Sequence, residues 1–167
     1  MTLDRLNSLP AAGALSEFLR CCGSARWAGA MTDRRPFSSR ENLLQIADEL
    51  WKSMASEDWI QAFSSHPKIG DLKNLQEKFA ATAGMATDEQ SGVRGAPDAV
   101  LVELADSNRL YEEKFGYIFI VCATGKSAPE MLGLLKRRIN NDPATELRVA
   151  AAEQSGIMIL RLEKLFA

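Results

Sequence analysis

The sequence predicts an all-α protein, a compact single-domain bundle of roughly eight helices over residues 1–167. Three observations predict this. Apolar residues recur three and four apart almost throughout, capping residues stand ahead of the stripes, and the one run with strand-like composition has no second strand to pair with. A chain of 167 residues suits one domain with a sizeable core. With 46% hydrophobic and 25% charged residues, it has the composition of a soluble globular protein and not of a disordered one.

Ser39 caps a helix that places Leu43, Ile46, Ala47, Leu50, Trp51 and Met54 along one side. Ser56 then precedes Trp59, Ile60 and Phe63, and Asp71 precedes Leu72 and Leu75. Thr87, with Gln90 three residues on, starts a short helix framed by Gly84 and by Gly92 and Gly95. Pro97 opens a longer helix through Val100, Leu101, Leu104 and Tyr111 to Phe115, which Gly116 ends. Ser127 and Glu130 form a capping box ahead of Met131, Leu134, Leu135 and Ile139, and Asp142-Pro143 starts a last helix that runs close to the C-terminus. The run Tyr117-Ile118-Phe119-Ile120-Val121-Cys122-Ala123 has strand propensity. A lone strand cannot satisfy its own backbone groups, so the run reads as a helical or irregular buried piece.

The net charge of −2 and the scattered lysines and arginines argue against nucleic acid as a partner. The Lys136-Arg137-Arg138 run falls at a helix end, where cations suit the dipole. No apolar run is long enough to span a bilayer, and the first residues lack the pattern of a signal peptide, so a cytoplasmic protein without a membrane partner is expected. Cys21, Cys22 and Cys122 are an odd number including a vicinal pair, which favours reduced thiols. One histidine and no spaced cysteine pairs give no grouping for a metal site. Trp27, Trp51 and Trp59, with no basic stripe around them, read as core or interface anchors.

Among residues able to do chemistry, His66 stands out. It is the only histidine, set between a helix and the break forced by Pro67 and Gly70, and imidazole alone exchanges protons in both directions near neutral pH without a perturbed pKa. A lone histidine is also commonly structural. Arg161 shares a face of the last helix with Leu147, Ala150, Ile157, Met158 and Leu165, and an arginine in an apolar stripe requires an anion or several acceptors. The competing reading is a structural ion pair or an apolar stem with its head in water. Glu89 and Asp88 lie in the first turn after Thr87, where acidic residues suit the helix dipole whatever else they do. Ser64 and Ser65 adjoin His66 but lack a G-x-S-x-G elbow, which disfavours a serine hydrolase.

Taken together, these residues resemble the 2-oxo-4-hydroxy-4-carboxy-5-ureidoimidazoline (OHCU) decarboxylases of urate degradation. The motifs that carry the resemblance span nearly the whole chain in the family's order. They are Arg35-Pro36-Phe37; His66-Pro67-x-Ile69-Gly70; Glu89-Gln90-Ser91-Gly92; Tyr111-x-x-Lys114-Phe115-Gly116-Tyr117-x-Phe119-Ile120-Val121-Cys122-Ala123; and Glu146-Leu147 through Ile157 to Leu160-Arg161-Leu162. The resemblance implies an all-helical homodimer without metal or organic cofactor, acting on a small ureidoimidazoline and releasing (S)-allantoin. It implies His66 as catalytic acid/base, Glu89 assisting it and Arg161 facing substrate. Pro67, Ala86, Thr87, Asp88, Gln90, Phe119, Ile120, Val121, Cys122 and Ala123 would line the pocket. Family members often carry serine three residues before the glutamate; this chain has Ala86 there, with Thr87 one position on. The competing readings are a hydrolase of a related ureido compound and a non-catalytic helical interaction module.

Overall fold

A computed structural model of the chain describes residues 1–69, 91–93 and 95–167. The protein is all-α, with eight α-helices and no strand among the described residues. The helices expected after Asp71 and Thr87 fall on residues that lie mostly outside the described ones. The described chain divides into two compact units, Met1–Ala62 with Ser155–Ala167, and Phe63–Gln154.

The first unit contains α1 (Leu3–Ser8), α2 (Ala11–Cys21), α3 (Ala25–Asp33), α4 (Arg40–Ser53), nearly all of α5 (Ser56–Phe63) and the C-terminal part of the last helix, α8 (Pro143–Lys164). Side chains cap three of its helices as the sequence chemistry requires. Thr2, Ser24 and Ser39 accept from the N–H groups of Arg5, Trp27 and Asn42. At α5 the helix starts at Ser56 itself, so the cap position falls on Ala55. There the Asp58 carboxylate accepts from the Ala55 N–H at 3.1 Å, which is the reciprocal half of a capping box.

Phe18, Trp27, Met31, Leu43 and Ala47 are fully buried in this unit, with Phe18 edge-on to Trp27. Trp27 Nε1 donates to the Ala47 carbonyl at 3.0 Å and Trp59 Nε1 to that of Trp51 at 3.1 Å, so Trp27 is a core anchor with a satisfied polar end and the half-buried Trp59 packs beside buried Trp51. Arg35, which precedes a cis Pro36, donates to the carbonyls of Leu6 and Leu9 at 3.0 and 2.7 Å and to Thr32 at 3.1 Å. One guanidinium thereby satisfies carbonyls left open where α1 ends.

The second unit contains a 3-10 turn (Ser91–Val93), α6 (Asp98–Phe115), α7 (Ala128–Arg138) and the first part of α8. Gly116 takes a left-handed conformation (φ 78°) that ends α6. The Glu130 carboxylate accepts from the Ser127 N–H at 2.7 Å at the start of α7. Asp142 accepts from the Thr145 N–H at 3.0 Å at the start of α8. Residues 117–123 are irregular, and Tyr117, Phe119, Ile120, Val121 and Ala123 are buried, as the absence of a pairing strand predicts.

Candidate functional site

In the second unit, Phe63 at the end of α5 lies 5.2 Å from the ring of Tyr117, which roots two predicted site segments against each other. One begins three residues later at His66, the other two residues later at Phe119. The His66 N–H closes a turn onto the Phe63 carbonyl at 3.1 Å. Beyond Pro67 the loop is pinned on α6, because Asn108 Nδ2 donates to the Ile69 carbonyl at 3.3 Å and Lys68 pairs with Glu112 at 2.5 Å. His66 is 8% exposed and Pro67 is buried. The imidazole thus sits on a backbone fixed at both ends, as a proton-transfer group requires.

The irregular segment 119–123 is gripped by charged side chains. Arg138 Nη1 donates to the Ile120 carbonyl at 2.8 Å, and its guanidinium lies 4.7 Å over the Phe119 ring. The Glu153 carboxylate accepts from the Cys122 N–H at 2.7 Å, while Lys126 Nζ donates to the Cys122 carbonyl at 2.6 Å. Between these gripped residues, the buried Val121 has no hydrogen bond to either its N–H or its C=O among the described residues.

Arg138 is held in turn by a polar network. Its Nε and Nη2 donate to one Glu146 oxygen at 2.8 and 2.6 Å, the Tyr111 hydroxyl donates to the same oxygen, and Asn141 donates to the other at 2.7 Å. Burial and the bond to Glu146 push the Tyr111 phenol far above its ordinary pKa. Arg138 lies in the last turn of α7, as expected for the Lys136-Arg137-Arg138 run, and at 7% exposure it also anchors the segment. Its position seven residues after Met131 and three after Leu135 puts it on the apolar stripe of α7, a signal present in the sequence. Glu153 and Lys126 carried no such signal, since their role depends on where residue 122 lies.

Arg161 belongs to the first unit, 1% exposed on α8, with Nη1 donating to the Arg20 carbonyl at 3.3 Å. The neighbouring Cys21 thiol is pushed up to about 12, chiefly by burial, with Arg161 pulling the other way. The guanidinium therefore lies in the apolar stripe, as its spacing predicts. Ala86, Thr87, Asp88, Glu89 and Gln90 lie outside the described residues. Among the described residues no three of His, Cys, Asp and Glu converge, and no helix is long and apolar enough to cross a membrane.

The described residues define an all-α helical protein, and comparison with known proteins gives its family. The OHCU decarboxylase family model matches residues 7–163, and the chain belongs to that family. It is 38% identical over 153 residues to the uric acid degradation bifunctional protein TTL of Arabidopsis thaliana, covering 90% of this chain and 47% of that protein. It is 24% identical to the 2-oxo-4-hydroxy-4-carboxy-5-ureidoimidazoline decarboxylase of Haloferax volcanii, covering 100% of this chain and 97% of that one. Among solved structures it resembles an OHCU decarboxylase crystallised in the presence of (S)-allantoin, with a TM-score of 0.76, 37% identity, and coverage of 90% of this chain and 97% of that one. The chain thus spans about half the length of the plant relative.

Proposed function

We propose that this chain converts 2-oxo-4-hydroxy-4-carboxy-5-ureidoimidazoline to (S)-allantoin and carbon dioxide without an organic cofactor. The observation that carries this reading is the family match, which runs unbroken from residue 7 to 163 across both units and so supports a single functional domain. Breaking the bond to the carboxylate leaves an electron pair on carbon, and the ring C=N beside that carbon accepts it. The 4-hydroxyl then gives up its proton as a carbonyl forms, and the carbon bearing the ureido arm gains one. His66 handles that proton traffic, Glu89 fixes its charge state or shares the relay, and protonation from one face sets the (S) configuration.

Arg161 in this reading contacts ring or ureido oxygens at least as much as the departing carboxylate. A clamp on the carboxylate alone would stabilise the ground state, whose charge is about to leave, over the transition state. On the ring oxygens it would meet charge as it builds. Val121 and its neighbours offer backbone groups to the polar ring edge, beside Pro67 and residues 86–90. The protein works as a cytoplasmic homodimer in this proposal.

The test generates the unstable substrate in situ from urate and follows optical activity. Wild type should accelerate formation of (S)-allantoin, and His66→Asn should lose most of that acceleration. Equal rates and equal optical activity for the two proteins would remove His66 from the mechanism.

A further inference from the structure

The buried stripe of α8 carries three polar residues: Glu146, Gln154 and Arg161, exposed by 0%, 0% and 1%. Ala150 and Ile157 fill the positions between them and are buried too. Glu146 is saturated by Arg138, Tyr111 and Asn141, and Arg161 donates to the Arg20 carbonyl. Gln154 differs. Neither its amide nitrogen nor its amide oxygen has a hydrogen-bond partner among the described residues. A carboxamide offers two donors and an acceptor with two lone pairs, and withdrawing all of them from water without replacement is strongly unfavourable. An apolar residue of the same volume would fill the space without that penalty.

The place of Gln154 narrows what could complete it. It follows Glu153, whose carboxylate accepts from the Cys122 N–H, so this turn of α8 stands level with the segment 119–123. Arg161 lies seven residues on along the same stripe, about 10 Å at the rise of an α-helix.

We infer that Gln154 binds the substrate's ureido arm, its side-chain carbonyl accepting from a ureido N–H and its NH2 donating to the ureido oxygen. A ureido group presents the matching donor and acceptor side by side. This inference rests on the ureidoimidazoline reading above. It assigns to Gln154 recognition of the arm, leaving proton transfer to other residues.

The experiment compares wild type with Gln154→Met for thermal stability without ligand, turnover of substrate made in situ, and affinity for (S)-allantoin and for hydantoin, which lacks the ureido arm. The variant should melt at or above the wild-type temperature, since an unsatisfied amide has been replaced by an apolar chain of similar length. Its kcat/KM and its affinity for (S)-allantoin should fall about tenfold to a hundredfold, while hydantoin binds as before. A lowered melting temperature with unchanged turnover would mean that the amide has a protein partner, and would overturn the inference. So would an equal loss of affinity for both ligands.

If Gln154→Met does not fold, the wild-type protein with 15N-labelled glutamine decides: (S)-allantoin should shift the Gln154 side-chain NH2 signals and hydantoin should not. Identical responses to the two would again overturn it. Failure of the decarboxylase reading is distinguishable, because wild type itself would then not accelerate (S)-allantoin formation.

Discussion

Arg138 and Glu146 form a buried ion pair in which two guanidinium nitrogens share a single carboxylate oxygen, at 2.6 and 2.8 Å. The pair stabilises the irregular segment indirectly, since the third arm of Arg138 reaches the Ile120 carbonyl. Leaving one of two buried charges without its partner typically costs about 3–5 kcal/mol. Glu146→Ala should therefore lower unfolding free energy by about 3 kcal/mol or more in urea titrations. Tyr111→Phe removes only one hydrogen bond and should cost about 1 kcal/mol. Similar midpoints for Glu146→Ala and wild type would show that the ion pair does not hold this unit together.

Under the proposed function the carboxylate of Glu153 bears on ligand binding more than on folding, because it accepts from the Cys122 N–H at 2.7 Å in the segment proposed to line the pocket. Glu153→Gln keeps an acceptor there, whereas Glu153→Ala keeps none. The alanine variant should raise KM about tenfold and leave kcat within about threefold, and the glutamine variant should stay close to wild type in both. Steady-state kinetics on substrate made in situ reads the split. An equal KM for the alanine variant and wild type would dismiss the grip on Cys122 as a binding determinant.

How far these features could be read from the chain depends on whether they are local. The caps at Ser39, Ser127 and Asp142, the stop at Gly116 and the burial of Arg161 follow from spacing and turn chemistry within a few residues, and all stand in the structure. Arg138 was legible by the same periodicity, but a run of three cations reads first as a solvated helix end. The grip of Glu153 and Lys126 on Cys122 joins residues up to 31 apart through a segment without regular periodicity. No local pattern encodes it. At Ser56 the start of α5 is displaced by one residue, because the Asp58 carboxylate caps Ala55 from inside the helix.

Gly92, which ends the Glu89-Gln90-Ser91-Gly92 motif, lies against the backbone of Lys126 and Ser127. A Cβ placed there would lie 1.9 Å from the Lys126 carbonyl oxygen and 2.9 Å from its carbon, far inside contact distance with backbone on both counts. Only glycine permits this approach. Gly92→Ala must push the 3-10 turn away from Lys126, three residues from Glu89. If Glu89 assists His66 as proposed, turnover should drop at least tenfold, because small misplacements of a catalytic group are costly. Circular dichroism should show helix content retained. Wild-type turnover in this variant would mean that the close approach has no part in placing Glu89.

Alkaline stability should be limited by three neutral acids, Cys21 in the first unit and Tyr111 and Tyr117 in the second, Tyr117 being raised by burial and by Glu146. Cys21 has its pKa pushed from 9.0 to about 12, chiefly by burial, and Tyr111 is raised from 10.0 by burial and by Glu146. All three resist ionising when folded. As pH rises past the unfolded values, the unfolded chain releases protons that the folded chain retains, so unfolding is increasingly favoured. The stability tied to Cys21 is whole below about pH 9 and is lost progressively toward pH 12, with a slope approaching about 1.4 kcal/mol per pH unit. The Tyr111 contribution adds to it above about pH 10. Cys21→Ala should flatten the decline between pH 9 and 10 while leaving the steeper loss above it, and Tyr111→Phe should lessen the loss above pH 10, with Tyr117 retaining part of it, while leaving the decline between pH 9 and 10. Urea midpoints at half-unit steps from pH 8 to 11 separate the two, and a Cys21→Ala slope matching wild type through pH 10 would show that burial of this thiol does not set alkaline stability.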